Sequence, residues 1–272
     1  MAKENLVSLH GQLIAAPKIY VTSENKYSKG ILVLKTLRRP VMKDGVIVGS
    51  RLYFDCPIIL TKNPLLIKQM FDFNVGDMVD IKGVLSTQEV IKTTVCPQCS
   101  HKNSSQGNSV FVTPIYICQR EKQLSPADGI RILKERCEVS NTVAVIGTLC
   151  RDPEGHEDAK GQHYARYQLA VNRKFHIKED DPSIKTDYPW VKTFGYQALN
   201  DAKGLHMGSV VYLNGAIQTR EIERVTTCEE CGAQYKWKEQ VAEIVPYSTE
   251  YLANCIVPEE RGDANGESKA KE

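Results

Sequence analysis

The chain repeats itself. Asn5-Leu-Val-Ser-Leu-His-Gly-Gln-Leu13 recurs as Asn141-Thr-Val-Ala-Val-Ile-Gly-Thr-Leu149, and Val75-Gly-Asp-Met-Val-Asp-Ile-Lys-Gly-Val-Leu-Ser-Thr87 recurs as Met207-Gly-Ser-Val-Val-Tyr-Leu-Asn-Gly-Ala-Ile-Gln-Thr219. Cys96-Pro-Gln-Cys99 returns as Cys228-Glu-Glu-Cys231 at the same offset as the second pair of segments. Three landmarks in one succession read as two domains of one fold, since a period this long is a whole domain rather than a solenoid unit. The 272 residues accommodate two domains of roughly 110 to 130 residues, each with its own core.

Short alternating strands dominate both copies. In the second, the pattern predicts strands over Thr142–Leu149, Ala165–Arg173 and Asp187–Phe194, one short helix over Gln197–Gly204, and further strands over Gly208–Thr219 and Glu239–Val245. In the first, the third strand is expected over Arg51–Pro57. Five strands with a helix between the third and fourth predict an all-β fold of two tandem OB-folds, which are five-stranded Greek-key barrels. Gly11, Gly83, Gly147 and Gly215 fall where such strands bend, and each Cys-x-x-Cys falls in the hairpin between the fourth and fifth strands. The expected layout is a first OB-fold over 1–124, a helical linker over 125–140, a second OB-fold over 141–257 and a disordered tail over 258–272. Ser125 and Pro126 suit the start of the linker helix, with Ile130, Leu133 and Cys137 on one face.

A formal net charge of +2 does not argue for a polyanion partner, so any nucleic-acid binding must come from local patches. No apolar run approaches the roughly 20 residues of a membrane span, and Met1-Ala-Lys-Glu-Asn5 does not begin a signal peptide. Nine cysteines, two tight pairs among them, favour reduced thiols with a metal site over a disulfide framework, and a cytoplasmic protein.

The second copy resembles the bacterial single-stranded DNA-binding proteins. The motifs are Asn141-x-Val-x-x-x-Gly-x-Leu-x-Arg-Asp-Pro-Glu154, Tyr167-x-Leu-Ala-Val-Asn-Arg173, Phe194-Gly195, and Gly208-x-Val-Val-x-Leu-x-Gly-x-Ile-Gln-Thr-Arg220. The resemblance implies a protein without enzymatic activity that coats and protects single-stranded DNA in replication, recombination or repair. Single-domain members assemble as tetramers, so by analogy a tandem chain dimerises. The family has no cysteine pairs in this hairpin, and it closes on an acidic tip that recruits partners. This sequence ends Gly266-Glu-Ser-Lys-Ala-Lys-Glu272, which puts such recruitment in doubt. A rival reading is an OB-fold adaptor that binds RNA or a replication protein.

Sequence-independent binding of single strands needs rings for bases and cations for phosphates. Tyr188, Trp190, Lys192 and Phe194 share one strand face, with Val191 and Thr193 pointing to the core. By the resemblance Phe194 stacks on a base and Tyr188 lies near a second stacking position. Arg166, Arg173 and Lys174 cluster around the second strand, with Arg38 and Arg39 at the matching place in the first copy and Tyr53 as its binding-side ring.

Cys96, Cys99, Cys228 and Cys231 read as two zinc knuckles, each supplying two of the four ligands that a closed structural Zn2+ site requires. One shared site within the chain, knuckles paired between molecules, separate sites completed by His101 or Cys118, and redox pairs all remain open. Cys56, Cys118, Cys137, Cys150 and Cys255 are expected in the core. No phosphate loop, nucleophile elbow or His-Glu-x-x-His motif points to catalysis.

Overall fold

Alternation shapes the strands. Val143, Val145 and Leu149 are buried at every second or fourth position of Asn141–Leu149, and Val7, Leu9 and Leu13 repeat the pattern in Asn5–Leu13. The computed structural model describes residues 2–24, 26–40, 42–43, 46–47, 51–174, 177 and 186–256. The expected tail lies outside them. Its principal strands in the first half are β1 (Asn5–Leu13), β2 (Tyr27–Leu37), β3 (Ile58–Thr61), β4 (Met78–Val95) and β5 (Lys102–Gln119). Those of the second are β6 (Asn141–Leu149), β7 (His163–Asn172), β8 (Trp190–Phe194), β9 (Val210–Thr227) and β10 (Gln234–Ala253). Helices α1 (Pro64–Gln69) and α4 (Gly195–Gly204) follow the third strand of each half, and α2 (Pro126–Glu135) and α3 (Cys137–Ser140) join the halves. No helix among the described residues is long and apolar enough to cross a membrane.

Each set of five strands closes on itself. β1 pairs antiparallel with β2 and β4, β2 with β3, and β4 with β5, while a parallel contact between Ile59 and Val112 joins β3 to β5. The second half repeats this circuit, with Val191 and Ile244 as its parallel contact. β1 and β6 then pair antiparallel about Val7 opposite Val143, which relates the halves by an approximate two-fold axis and makes one continuous sheet.

The repeated glycines and asparagines have matching structural tasks. At Gly83 and Gly215 the fourth strands bulge, and a Cβ would stand 2.3 Å from the carbonyl oxygen of Thr113 or Val245. Just past each bulge main-chain pairing with the first strand stops. There Asn5 donates to Leu85 O (2.9 Å) and accepts from Leu85 N (2.8 Å), and Asn141 makes the same two bonds to Ile217 at 2.9 Å each. Each amide thus both donates and accepts within the core, and Asn141 Nδ2 donates a second bond to Thr36 Oγ1 at 3.2 Å.

Several expectations change. The fourth and fifth strands extend well past the barrels as two hairpin arms, because unbroken pairing runs from Thr87 opposite Val110 to Val95 opposite Lys102, and from Thr219 opposite Ala242 to Thr227 opposite Gln234. The third strand of the first half is Ile58–Thr61, preceded by a two-residue strand at Phe54–Asp55, rather than Arg51–Pro57. Burial decides this register: Ile59 and Thr61 point inward. The linker helix starts as expected, with Ser125 Oγ accepting from Asp128 N, but its buried face is Gly129, Ile132 and Leu133, continued by Cys137 of α3. Ile132, Leu133 and Cys137 pack on Leu37 and Met78, and Ile130 is only half-buried. Among the single thiols Cys137 is buried, Cys118, Cys150 and Cys255 are half-buried, and Cys56 is exposed instead of in the core.

Candidate nucleic-acid interface and thiol cluster

On β8, Val191 and Thr193 face the core while Trp190, Lys192 and Phe194 alternate outward. Tyr188 stands just before the strand, and it and Phe194 are each 46% exposed. β7 runs alongside, placing Tyr164 opposite Phe194, Arg166 opposite Lys192 and Gln168 opposite Trp190. The Arg166 guanidinium lies 3.9 Å from the centroid of the Trp190 ring, with Arg151 at 5.2 Å from it. The Lys192 ammonium lies 4.4 Å from the Tyr164 ring and 5.3 Å from Phe194, and Tyr164 stacks on His156 at 5.1 Å. Rings and cations thus alternate over one surface. Beneath them buried Glu243 holds Arg220 at 3.0 Å and Arg166 at 3.4 Å. Partial desolvation, then the charge of Arg220, push the Lys192 ammonium below its ordinary pKa.

Other predicted cations are engaged elsewhere. Arg173 turns inward to Asp187 through Nε (2.6 Å) and Nη2 (2.9 Å), and Arg38 Nε reaches Asp55 at 2.7 Å. Both carboxylates are fully buried, so each needs a charged partner and takes these arginines from the surface. Arg39 pairs with Glu138 and Lys174 with Glu4 at the surface. Tyr53 is exposed and carries Arg38 at 4.8 Å and Arg51 at 5.2 Å from its centroid.

At the places that match Trp190 and Lys192 the first half carries aliphatic side chains, although Lys29 lies 4.6 Å from the Tyr20 ring where the second half pairs Tyr164 with His156. Val33 pairs with Ile58 and Ile31 with Leu60, where the second half has Gln168 with Trp190 and Arg166 with Lys192. Between the halves lies a groove of about 830 Å3, lined by Ile14, Val33 and Ile58 on one side and by Arg166, Tyr188 and Trp190 on the other. Its walls are the two arms, at Ser105–Val110 of β5 and at Trp237 and Glu239–Glu243 of β10. Tyr164, Arg220 and Trp237 were missed in the sequence; only Tyr164, in step with Arg166 on β7, had a legible signal there.

The arm tips meet at the four predicted cysteines. Cys96 N donates to His101 O and Cys228 N to Ala233 O, both at 2.9 Å, in turns that pass through a left-handed residue, Ser100 (φ 59) or Gly232 (φ 71). Cys96 Sγ lies 3.7 Å from Cys231 Sγ, Cys99 Sγ lies 3.5 Å from Cys228 Sγ, and all four sulfurs fall within 4.8 Å of one another. A tetrahedral zinc with Zn–S of about 2.3 Å sets its sulfurs roughly 3.8 Å apart, so the donor set fits in number, kind and spacing. His101 and Cys118 do not join the group. The Cys231 N–H, helped by that of Glu230, draws the Cys228 thiol down to about 6. Although a backbone bond at His101 favours its thiolate, desolvation and the neighbouring thiols push Cys99 up to about 12. Around the cluster Tyr235 Oη bonds Thr94 (2.7 Å) and Asn103 (2.9 Å) of the other arm, Glu229 N donates to Asn103, and Lys92 pairs with Glu239.

Comparison with known proteins places this arrangement. A family model described as the single-strand binding protein family matches residues 140–241. Single-stranded DNA-binding protein B of Bacillus subtilis is 36% identical over 83 residues, which cover 30% of this chain and 72% of that protein. Single-stranded DNA-binding protein 1 of Lactococcus lactis is 35% identical over 83 residues, 30% of this chain and 54% of that protein. The chain spans about half the length of several such curated relatives. The fold is similar to that of the wild-type single-stranded DNA binding protein from Thermus aquaticus, with a TM-score of 0.63 at 16% identity over 99% of this chain and 98% of that one. On the strength of these matches, the chain belongs to the single-strand binding protein family.

Proposed function

We propose that the protein binds single-stranded DNA, largely without regard to sequence, on the β7–β8 surface of its second half. The observation that carries this is the interleaving of Tyr164, Phe194 and Tyr188 with Arg166 and Lys192. Exposed rings offer stacking platforms worth about 1–3 kcal/mol per base. Trp190 serves differently: with Arg166 over its ring, it holds that guanidinium in place. The mutual repulsion of Lys192, Arg220 and Arg166 is what an incoming phosphate relieves. Arg38 and Arg173 are positioning residues for Asp55 and Asp187 rather than phosphate contacts.

On this reading each closed circuit of five strands is an OB-fold, over 1–124 and 141–257, joined by the helical segment 125–140. Cys96, Cys99, Cys228 and Cys231 hold one zinc within the chain. A fully thiolate-ligated zinc leaves no position for activating water, so its contribution is structural. Two chains associate to present four such folds.

Titration with oligo-dT, followed by tryptophan fluorescence at two salt concentrations, tests the proposal. Affinity should fall with salt at roughly −0.7 per phosphate neutralised and should resist duplex and oligo-U competitors. Equal binding to duplex, or preference for oligo-U, would replace it with the RNA-binding or adaptor reading.

A further inference from the structure

The groove between the arms has a feature that the ring–cation surface does not explain. Among the described residues, β5 over Ser105–Val110 pairs only with β4, and β10 over Trp237–Glu243 pairs only with β9. Ser105–Val110 of β5 and Glu239–Glu243 of β10 line the groove consecutively, as strand edges do; a sheet face would contribute every second residue. Among the described residues, the groove-lining edge of each arm strand has no main-chain partner, and the two edges face each other across it. Such edges are ordinarily shielded from other chains. Six residues of strand span roughly 20 Å, so the volume of about 830 Å3 is a slot rather than a bowl.

The slot is bounded at both ends. Above it the arms are joined by the four thiols, by Tyr235 with Thr94 and Asn103, and by Lys92 with Glu239. Below it Thr87 bonds Asp187 and Thr219 bonds Asp55. It opens onto the proposed DNA surface through Arg166, Tyr188 and Trp190, and it carries a further ring and cation, Trp237 and Arg224.

We infer that the bound single strand runs through this slot, beneath the joined tips, and that the four-thiol cluster is the latch that keeps it there. The inference rests on the DNA-binding reading above. Open main-chain edges give hydrogen bonds to bases of any identity and rings stack them, while the half-exposed Arg166 and Arg224, paired at rest with Glu243 and Glu239 of the slot, turn to phosphates. A strand seated there leaves by sliding out lengthwise or by parting the tips.

The test is the release of labelled oligo-dT from the full, zinc-loaded chain, chased with unlabelled oligonucleotide. The double variant C96S/C231S should release it at least tenfold faster with an unchanged circular dichroism spectrum. Diamide should then join Cys99 to Cys228 in that variant, taking two electrons and two protons from the thiols as the disulfide forms. Slow release should return and be abolished by reductant. Equal release from variant and parent, or indifference to diamide, overturns the latch. Should the variant fail to fold, the unaltered chain decides: by linkage, oligo-dT must slow loss of zinc to a chelator, and equal loss with and without it also overturns the latch. Absence of any oligo-dT binding by the zinc-loaded chain would sink the DNA-binding reading itself, and this inference with it.

Discussion

Asp55 and Asp187 occupy the same place in the two halves, and each serves the half to which it does not belong. Asp55 Oδ1 accepts from Thr219 N at 2.7 Å, and Asp187 Oδ1 accepts from Thr87 N at 2.8 Å. The threonine hydroxyls answer, accepting from Cys56 N (2.7 Å) and Tyr188 N (2.8 Å). Arg38 and Arg173 complete the two clasps. The axis through Val7 and Val143 makes them equivalent.

Breaking a clasp should therefore cost stability, not salt-sensitive binding. Asp187→Ala leaves Arg173, only 7% exposed, without its carboxylate, and the expected loss is about 3–5 kcal/mol in urea unfolding. Asp55→Ala should lose a similar amount. Oligo-dT titrations of the folded fraction should keep the parental salt slope.

The two tip turns differ in one residue. Ser100 adopts a left-handed conformation (φ 59) that suits glycine, and its counterpart Gly232 (φ 71) is glycine. Ser100→Gly should stabilise the zinc-loaded protein by about 0.5–1 kcal/mol, and Gly232→Ser should destabilise it by about 1–2 kcal/mol. Thermal unfolding of both variants with saturating zinc gives the comparison; shifts of the same sign would refute it.

Asp80 makes the first half acid-sensitive. Partial desolvation opposes its charge, but bonds from His10 (2.6 Å) and Arg120 (2.5 Å) outweigh that and hold the carboxyl below its ordinary pKa. A carboxyl whose pKa is lower folded than unfolded adds stability above the unfolded value of about 3.9, which is lost as pH falls through the folded value. Urea unfolding from pH 7 to pH 3 should show this loss, and Asp80→Asn should flatten the acid limb.

The ring surface should be one-sided. Phe194→Ala should weaken oligo-dT binding by about 1–3 kcal/mol. Leu60→Ala, on the outward face of β3, should change it by less than about 0.5 kcal/mol. Comparable losses at both positions would mean that the first half also stacks bases.

How far the sequence could be read follows from how local each signal is. The repeat placed Asn5 with Asn141 and Gly83 with Gly215 because each pair carries out the same local task. The outward face of β8 was legible from alternation alone. The arms were not: the strand pattern is read only to Thr219, and pairing with Trp237–Val241 carries it on through Arg220-Glu-Ile-Glu-Arg224. Arg38 and Arg173 read as surface cations because their carboxylates stand 17 and 14 residues further along the chain, and the threonines that fix those carboxylates belong to the other half. Reciprocal contacts leave no mark on local pattern.

The β1–β6 pairing has a consequence for how this molecule can change. When two identical subunits meet about an axis, every substitution appears twice and dilution separates them. Here Val7 and Val143 meet about such an axis inside a single chain. Dilution cannot part the halves, and each half can diverge alone. Ile58, at the place that Trp190 holds in the other half, is such a divergence: the geometry is kept in duplicate while the side chain differs.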